Sequence, residues 1–319
     1  ILKRRLNRIP VRVNRELGQG MHFAQPVDPK FSQDFIIEEG KSGSGVKPGL
    51  IAVVEPVERL DKDLWKGRSL EVLGPEEETG VQETVVKLLN HIPRSFPKSV
   101  VNEADNLPSE PRQDEVQSRR DLRDLLLVTI DGASAKDFDD AIYVEASGGG
   151  YNLYVAIADV THYVEPGNQL DQEARKRANS YYFPTSVEPM FPQKLSTGLC
   201  SLNPDEDRLA MTVKMGFSPE GERISREFFS AVIRSKARLT YTRVKHALLD
   251  NDPQEQQRMG EVYPMLRSAE SLARVLSTNR SRRGSLDFDL PEPEIKFNLE
   301  DEAVDIQPKA RHFGHQIVE

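Results

Sequence analysis

Asp131, Asp137, Asp139 and Asp140 place four carboxylates in the ten-residue stretch Asp-Gly-Ala-Ser-Ala-Lys-Asp-Phe-Asp-Asp, directly after the largely apolar run from Leu125 to Ile130. Crowded like charges raise one another's pKa and repel, so such a loop is stable mainly when divalent cations neutralise it. An oxygen-only donor set on a short loop suits the hard ions Mg²⁺ or Mn²⁺ rather than Zn²⁺. Two such ions held about 4 Å apart can activate a water and stabilise the leaving oxygen of an in-line attack on phosphorus. The matching substrate is a phosphodiester. Two other acid-loop chemistries fail on position. An EF-hand counted from Asp131 would need oxygen ligands where Ala133, Ala135 and Ile142 stand. A phosphatase of the haloacid dehalogenase type needs a second aspartate at the position of Ala133.

To act, the acids must be held by elements on either side. Phe138 and Ala141 punctuate them with apolar residues, and Ile142-Tyr143-Val144 resumes a strand pattern, so the loop is predicted to join two buried strands. Downstream, the pattern alternates strands and helices, with helices predicted over 170–177 and 242–249. A longer helical pattern runs over 255–283, interrupted or restarted at Pro264 and stopped by Gly284. Upstream, the short runs Val11-Arg12-Val13, Phe35-Ile36-Ile37 and Leu50 to Glu55 are separated by turn residues and predict a small β-barrel. Val81, Val85, Leu88 and Leu89 then recur at helical spacing over 80–92, and the Pro- and Asn-rich stretch 93–118 reads as a linker. Cys200, in a Leu-Cys-Ser-Leu run, reads as a small buried hydrophobe and His162 as a packed or hydrogen-bonded residue.

Further segments carry a resemblance. Arg120-Asp121-Leu122-Arg123-Asp124, the acidic loop, Val155 to Val164, Ser180-Tyr181-Tyr182-Phe183-Pro184, and Leu199 to Pro204 follow one another in an order similar to that of the exoribonuclease II and R family, whose members carry an RNB catalytic domain. The resemblance implies an α+β multidomain chain: a cold-shock or OB-type RNA-binding module over 1–78, a helix and linker over 79–118, and the N-terminal part of the RNB domain over 119–319. It implies Mg²⁺-dependent, processive 3′-to-5′ hydrolysis of single-stranded RNA to 5′-mononucleotides, with Mn²⁺ as a substitute. Asp131, Asp137, Asp139 and Asp140 then match the family's metal carboxylates, with Asp139 and Asp140 the catalytic pair deepest in the site. Tyr182 matches an aromatic that stacks on the terminal RNA base. Phe288, in Arg283-Gly284-Ser285-Leu286-Asp287-Phe288, matches a second aromatic clamp. The family's downstream half adds an arginine, a glutamate and an S1 domain, so the chain reads as a truncated piece that alone is expected to be inactive. A non-catalytic RNA-binding fragment, or a degenerate RNB fold, is the alternative reading.

Composition bounds the rest. The 319 residues, 37% of them hydrophobic, suffice for two cored domains, and one cysteine excludes a disulfide framework and fits a reducing compartment. No membrane span or signal peptide is legible, so a cytoplasmic monomer is expected, or an organellar one if a leader preceded Ile1. A net charge of −8 opposes RNA binding only on average. Basic residues cluster at Lys3 to Arg15, Arg234 to Arg238, and Arg280, Arg282 and Arg283.

Overall fold

Val11, Val13, Ala24, Phe35, Ile37, Ala52 and Val54 form a buried apolar stripe along neighbouring strands, and burying it closes five strands into a barrel. The computed structural model describes residues 8–38, 45–286, 293–298, 303–308 and 313–318. The barrel strands are β1 (Ile9–Gly18), β2 (Met21–Pro26), β3 (Asp34–Glu38), β4 (Leu50–Asp61) and β5 (Leu64–Pro75), in the order β1-β2-β3-β5-β4. β3 and β5 run parallel, and β1 closes antiparallel onto β4. Gly67 permits the closure, since a Cβ there would lie 3.1 Å from the Phe35 ring. The helix α1 (Thr79–Leu89) packs Val81, Val85 and Leu89 with Ile51, Val27 and Leu73 of the barrel.

The stretch read as a linker is partly helical. It holds α2 (Lys98–Asp105) and α3 (Gln113–Gln117). Helices this short persist only through tertiary burial, and Val100 and Ala104, one turn apart, enter a large core.

That core lies against a mixed seven-stranded sheet. Its strands are β6 (Arg120–Asp121), β7 (Val128–Asp131), β8 (Asp140–Ser147), β9 (Gly150–Ala158), β12 (Asp207–Phe217), β13 (Arg223–Arg234) and β14 (Ala237–Thr240), ordered β14-β7-β8-β9-β12-β13-β6. Between β9 and β12 come α4 (Val160–Tyr163), α5 (Gln169–Arg177), the two-residue strands β10 (Tyr181–Tyr182) and β11 (Val187–Glu188), and a π-helical turn at Lys194–Leu199. After β14 follow α6 (Tyr241–Leu248), α7 (Pro253–Met259), α8 (Val262–Arg282), β15 (Pro293–Phe297), β16 (Ala303–Pro308) and α9 (Phe313–Val318). Successive residues of β8 feed opposite faces. Ala141 joins Leu170, Leu195 and Leu199 on one side, while Ile142 joins Val244, Leu248 and Leu266 of α6 and α8 on the other.

Of the interruption or restart expected at Pro264, the structure shows a restart two residues earlier, at Val262, and the interruption falls elsewhere. The helices part at Gly260, whose φ of +51° no β-carbon tolerates well, and Pro264 sits in the first turn of α8, where a missing N–H costs nothing. Gly260→Ala should lower stability by about 1–2 kcal/mol in urea unfolding. An unchanged midpoint would place the break outside the glycine.

The chain divides into two units that are not contiguous in sequence. One comprises Ile1–Ser95, Ser180–Glu188 and Pro293–Gln307, and the other comprises Phe96–Asn179, Pro189–Glu292 and Pro308–Glu319. The hairpin β10-β11 is thus grouped with the barrel. No described helix is long and apolar enough to cross a membrane.

Candidate active site

Val128, Thr129 and Ile130 are buried, and β7 ends at Asp131, where the chain leaves the sheet. It returns at Asp140, the first residue of the antiparallel neighbour β8. The intervening loop is pinned along its length. Ala135 N donates to Gly132 O at 3.2 Å, and the buried Ser201 Oγ accepts from Phe138 N at 3.0 Å and donates to Lys136 O at 3.1 Å. Leu202 N donates to Phe138 O at 2.8 Å, and Ala158 N to Asp139 O at 2.9 Å. Phe138 is itself buried in the large core, so the acids on either side of it ride on an anchored segment. Ser201 is held in turn by the buried Arg208, whose Nε donates to Ser201 O at 2.8 Å and to Gly198 O at 3.1 Å.

The loop disfavours its own charge. Burial and then the Asp140 charge, with smaller contributions from Asp137 and Asp139, push Asp131 up to about 6, against the opposing pull of Arg238. Asp139 is raised by burial and by Asp137 and Asp140, and Asp140 by burial. Asp131 Oδ2 is buried without a hydrogen-bond partner. Neighbouring carboxylates, in a partly dry site with an orphaned oxygen, make a donor set that fits a hard divalent cation. Among the described residues, no three His, Cys, Asp or Glu side chains converge into a ready coordination shell. The acids share a loop and a field rather than a preformed cage.

Arg238 is the site residue that sequence reasoning misplaced. It belongs to a cluster read as supporting RNA contact, yet β14 runs parallel beside β7 and brings it to the loop. Its Nη2 donates to Gly132 O at 2.6 Å and Ala133 O at 2.8 Å, and its guanidinium lies 5.5 Å from the Phe138 ring centroid. Arg234 of the same cluster pairs with Asp207 at 2.7 Å. Removing the cation that opposes Asp131's raised pKa should raise it further. Arg238→Met is therefore expected to move the Asp131 titration above about 6, followed by carboxyl-carbon NMR. A downward shift would contradict this placement.

Tyr182 lies on β10, paired with Val187, in the barrel-containing unit. Its exposure of 67% is incompatible with a core aromatic. Phe288 lies outside the described residues. Cys200 is buried, which together with the nearby Asp139 and Asp159 pushes its thiol up to about 12, and His162 Nε2 lies 3.0 Å from Glu115 Oε1. Among the described residues, neither joins the acids in a cluster that could hold a metal.

Residues 119–319 match the RNB domain and residues 23–97 the cold shock domain. Ribonuclease R of Vibrio cholerae is 38% identical over 302 residues, covering 94% of this chain and 36% of that protein. The chain thus spans about a third of the length of this curated relative. Mycoplasma genitalium RNase R, solved with ribose-methylated single-stranded RNA, superposes with a TM-score of 0.89 at 27% identity over 100% of this chain and 50% of that one. Yeast Ssd1, described as a pseudonuclease, shares the fold alone, with a TM-score of 0.59 at 17% identity over 86% of this chain and 34% of that one.

Proposed function

We propose that this chain, which belongs to the RNB domain family, carries the barrel and the acidic loop of an exoribonuclease that degrades single-stranded RNA from its 3′ end, processively and with Mg²⁺, to 5′-mononucleotides. The observation that carries the reading is the pinned loop itself: Asp131, Asp137, Asp139 and Asp140 in one field, with a buried carboxylate oxygen left unpartnered. The four acids would hold the cations, with Asp139 and Asp140 nearest the reacting phosphate and Mn²⁺ able to replace Mg²⁺. Bound there, the cations supply charge neutralisation at the phosphate and activation of the attacking water. The chain's own groups do the rest. Ser201 and Arg238 hold the loop backbone, so the acids pay little reorganisation when substrate arrives. The exposed ring of Tyr182 offers a stacking face to the terminal base, which is worth about 1–3 kcal/mol and tolerates any sequence. Phe288 would stack on bases further in. The closed barrel suits single-stranded RNA, as OB-type folds do. A degenerate, non-catalytic RNB fold is the rival, and Ssd1 shows that this architecture does not by itself carry activity. All four acids are present in this sequence, which favours the enzyme.

Tyr182→Ala tests the base-stacking assignment. The last undegraded oligonucleotide should lengthen by about one or two nucleotides, since the terminal base loses the face that seats it. An unchanged end product on a 5′-labelled RNA would remove Tyr182 from the site.

A further inference from the structure

The hairpin that carries Tyr182 consists of two strands of two residues each, too little to hold a fixed position by itself. Two buried, oppositely charged side chains of α1 hold it. Glu83 and Lys87 lie one turn apart, each 6% exposed. Glu83 Oε1 accepts from Thr185 N at 2.7 Å and its Oε2 from Ser186 Oγ at 2.7 Å. Lys87 Nζ donates to Ser186 Oγ at 2.8 Å and to Glu188 Oε1 at 2.7 Å, and stands 4.6 Å from the Phe183 ring centroid. Phe183 N closes the turn onto Ser186 O at 2.8 Å. The hairpin residues following Tyr182 are thus gripped at 183, 185, 186 and 188. The opposite side of α1 is seated on the barrel through Val81 and Val85.

Plain solubility does not explain this arrangement. Buried charges are costly to desolvate and gain little net stability over apolar residues of the same shape, but their directional bonds fix geometry. An apolar contact would have tethered the hairpin more cheaply. It would not have fixed where Tyr182 stands.

We propose that Glu83 and Lys87 are positioning residues for Tyr182: through Thr185, Ser186 and Glu188 they fix the exposed ring in the frame of the barrel, so a helix about a hundred residues upstream sets the length at which degradation stops. The inference rests on the reading that Tyr182 stacks on the terminal base. It adds a physical link between the barrel unit and the final product.

The experiment uses the intact protein, 5′-labelled single-stranded RNA and Mg²⁺, and reads the shortest remaining oligonucleotide for Lys87→Met, Lys87→Arg, Tyr182→Ala and the Lys87→Met/Tyr182→Ala double variant. Lys87→Met keeps an unbranched side chain of similar length but removes the ammonium that faces Phe183, Ser186 and Glu188. It should lengthen the end product by the same one or two nucleotides, roughly, as Tyr182→Ala, and the double variant should show no further lengthening. Lys87→Arg, which restores the cation, should return the end product toward the wild-type length. A loss of fold stability alone would reduce active enzyme without moving the last product. A wild-type end product in Lys87→Met, where Tyr182→Ala does shift it, would overturn the inference and leave the stacking reading standing. Additive lengthening in the double variant would also overturn it. An unshifted Tyr182→Ala would instead remove the stacking reading, and the inference with it. Should Lys87→Met not fold, Ser186→Ala, which deletes only the hydroxyl shared by the two clamping residues, is decided by the same outcomes.

Discussion

Asp139→Asn in the intact protein should lower turnover on single-stranded RNA by about three orders of magnitude or more, while RNA affinity stays within a few-fold of wild type. The change is nearly isosteric. Asp139 O still accepts from Ala158 N, so the loop keeps its seat, and only a negative charge in the acid field is lost. Three orders of magnitude correspond to about 4 kcal/mol of transition-state stabilisation. That is the scale expected when a group aimed at developing charge in a partly dry site is removed. Binding should be spared, since on the proposed reading stacking and phosphate contacts belong to other residues. Rapid-quench turnover and RNA affinity in Ca²⁺ separate the two effects. Equal losses in both would mean that Asp139 holds the substrate rather than the reacting phosphate.

The second large effect is on stability, and it runs opposite in sign to the first. Asp131 titrates near an ordinary carboxylate value, about 4, in the unfolded chain and at about 6 in the fold. A carboxyl whose folded pKa is raised binds its proton more tightly when folded. Its contribution is therefore fully present below about pH 4 and is lost as pH rises through about 6. By linkage the loss has a ceiling of about 3 kcal/mol, reduced where water reaches the site. Asp139 and Asp140 are raised as well and act in the same direction. Asp131→Asn should therefore be more stable than wild type at pH 8 in the absence of divalent cations, by about 1–2 kcal/mol in urea unfolding. At pH 4 the two proteins should unfold together. Added Mg²⁺ should stabilise wild type at pH 8 and have little effect at pH 5, since cation binding must displace the protons the acids hold there. Asp131→Asn less stable than wild type at pH 8 would show that its carboxylate is satisfied by the fold.

The two effects together describe a site whose charges are disfavoured by the fold that holds them. Such strain is expected where cations are to bind.

The acidic loop was legible because its chemistry is contiguous: one decapeptide supplies every acid, and its apolar punctuation shows that strands flank it. The barrel was legible through the short β-type runs around Val11, Phe35 and Leu50 between turn residues, each of which lies in a strand. Contacts between distant residues were not. Arg238 lies 105 residues beyond Ala133 and reaches the loop only because β14 joins the sheet parallel to β7. The grip of Glu83 on Ser186 spans 103 residues and gives no local pattern, since a Glu and a Lys one turn apart read as a solvated helix face. The short helix α2 after Pro93 owes its existence to the core that buries Val100 and Ala104, which local propensity cannot report. Pro264 marks the restarted helix rather than the break itself for a related reason: proline is harmless in a first turn, and Gly260 fixes where that turn begins.

The central claim is that the loop bearing Asp131, Asp137, Asp139 and Asp140 makes this protein a cation-dependent nuclease acting from the 3′ end. The most direct measurement follows a single-stranded RNA labelled at its 3′-terminal nucleotide through a single turnover, with Mg²⁺ and with the cation removed. The account predicts that the label leaves first, as a 5′-mononucleotide, only when Mg²⁺ or Mn²⁺ is present. Label retained in long fragments while the 5′ end shortens, or equal release after chelation of the cation, would contradict it.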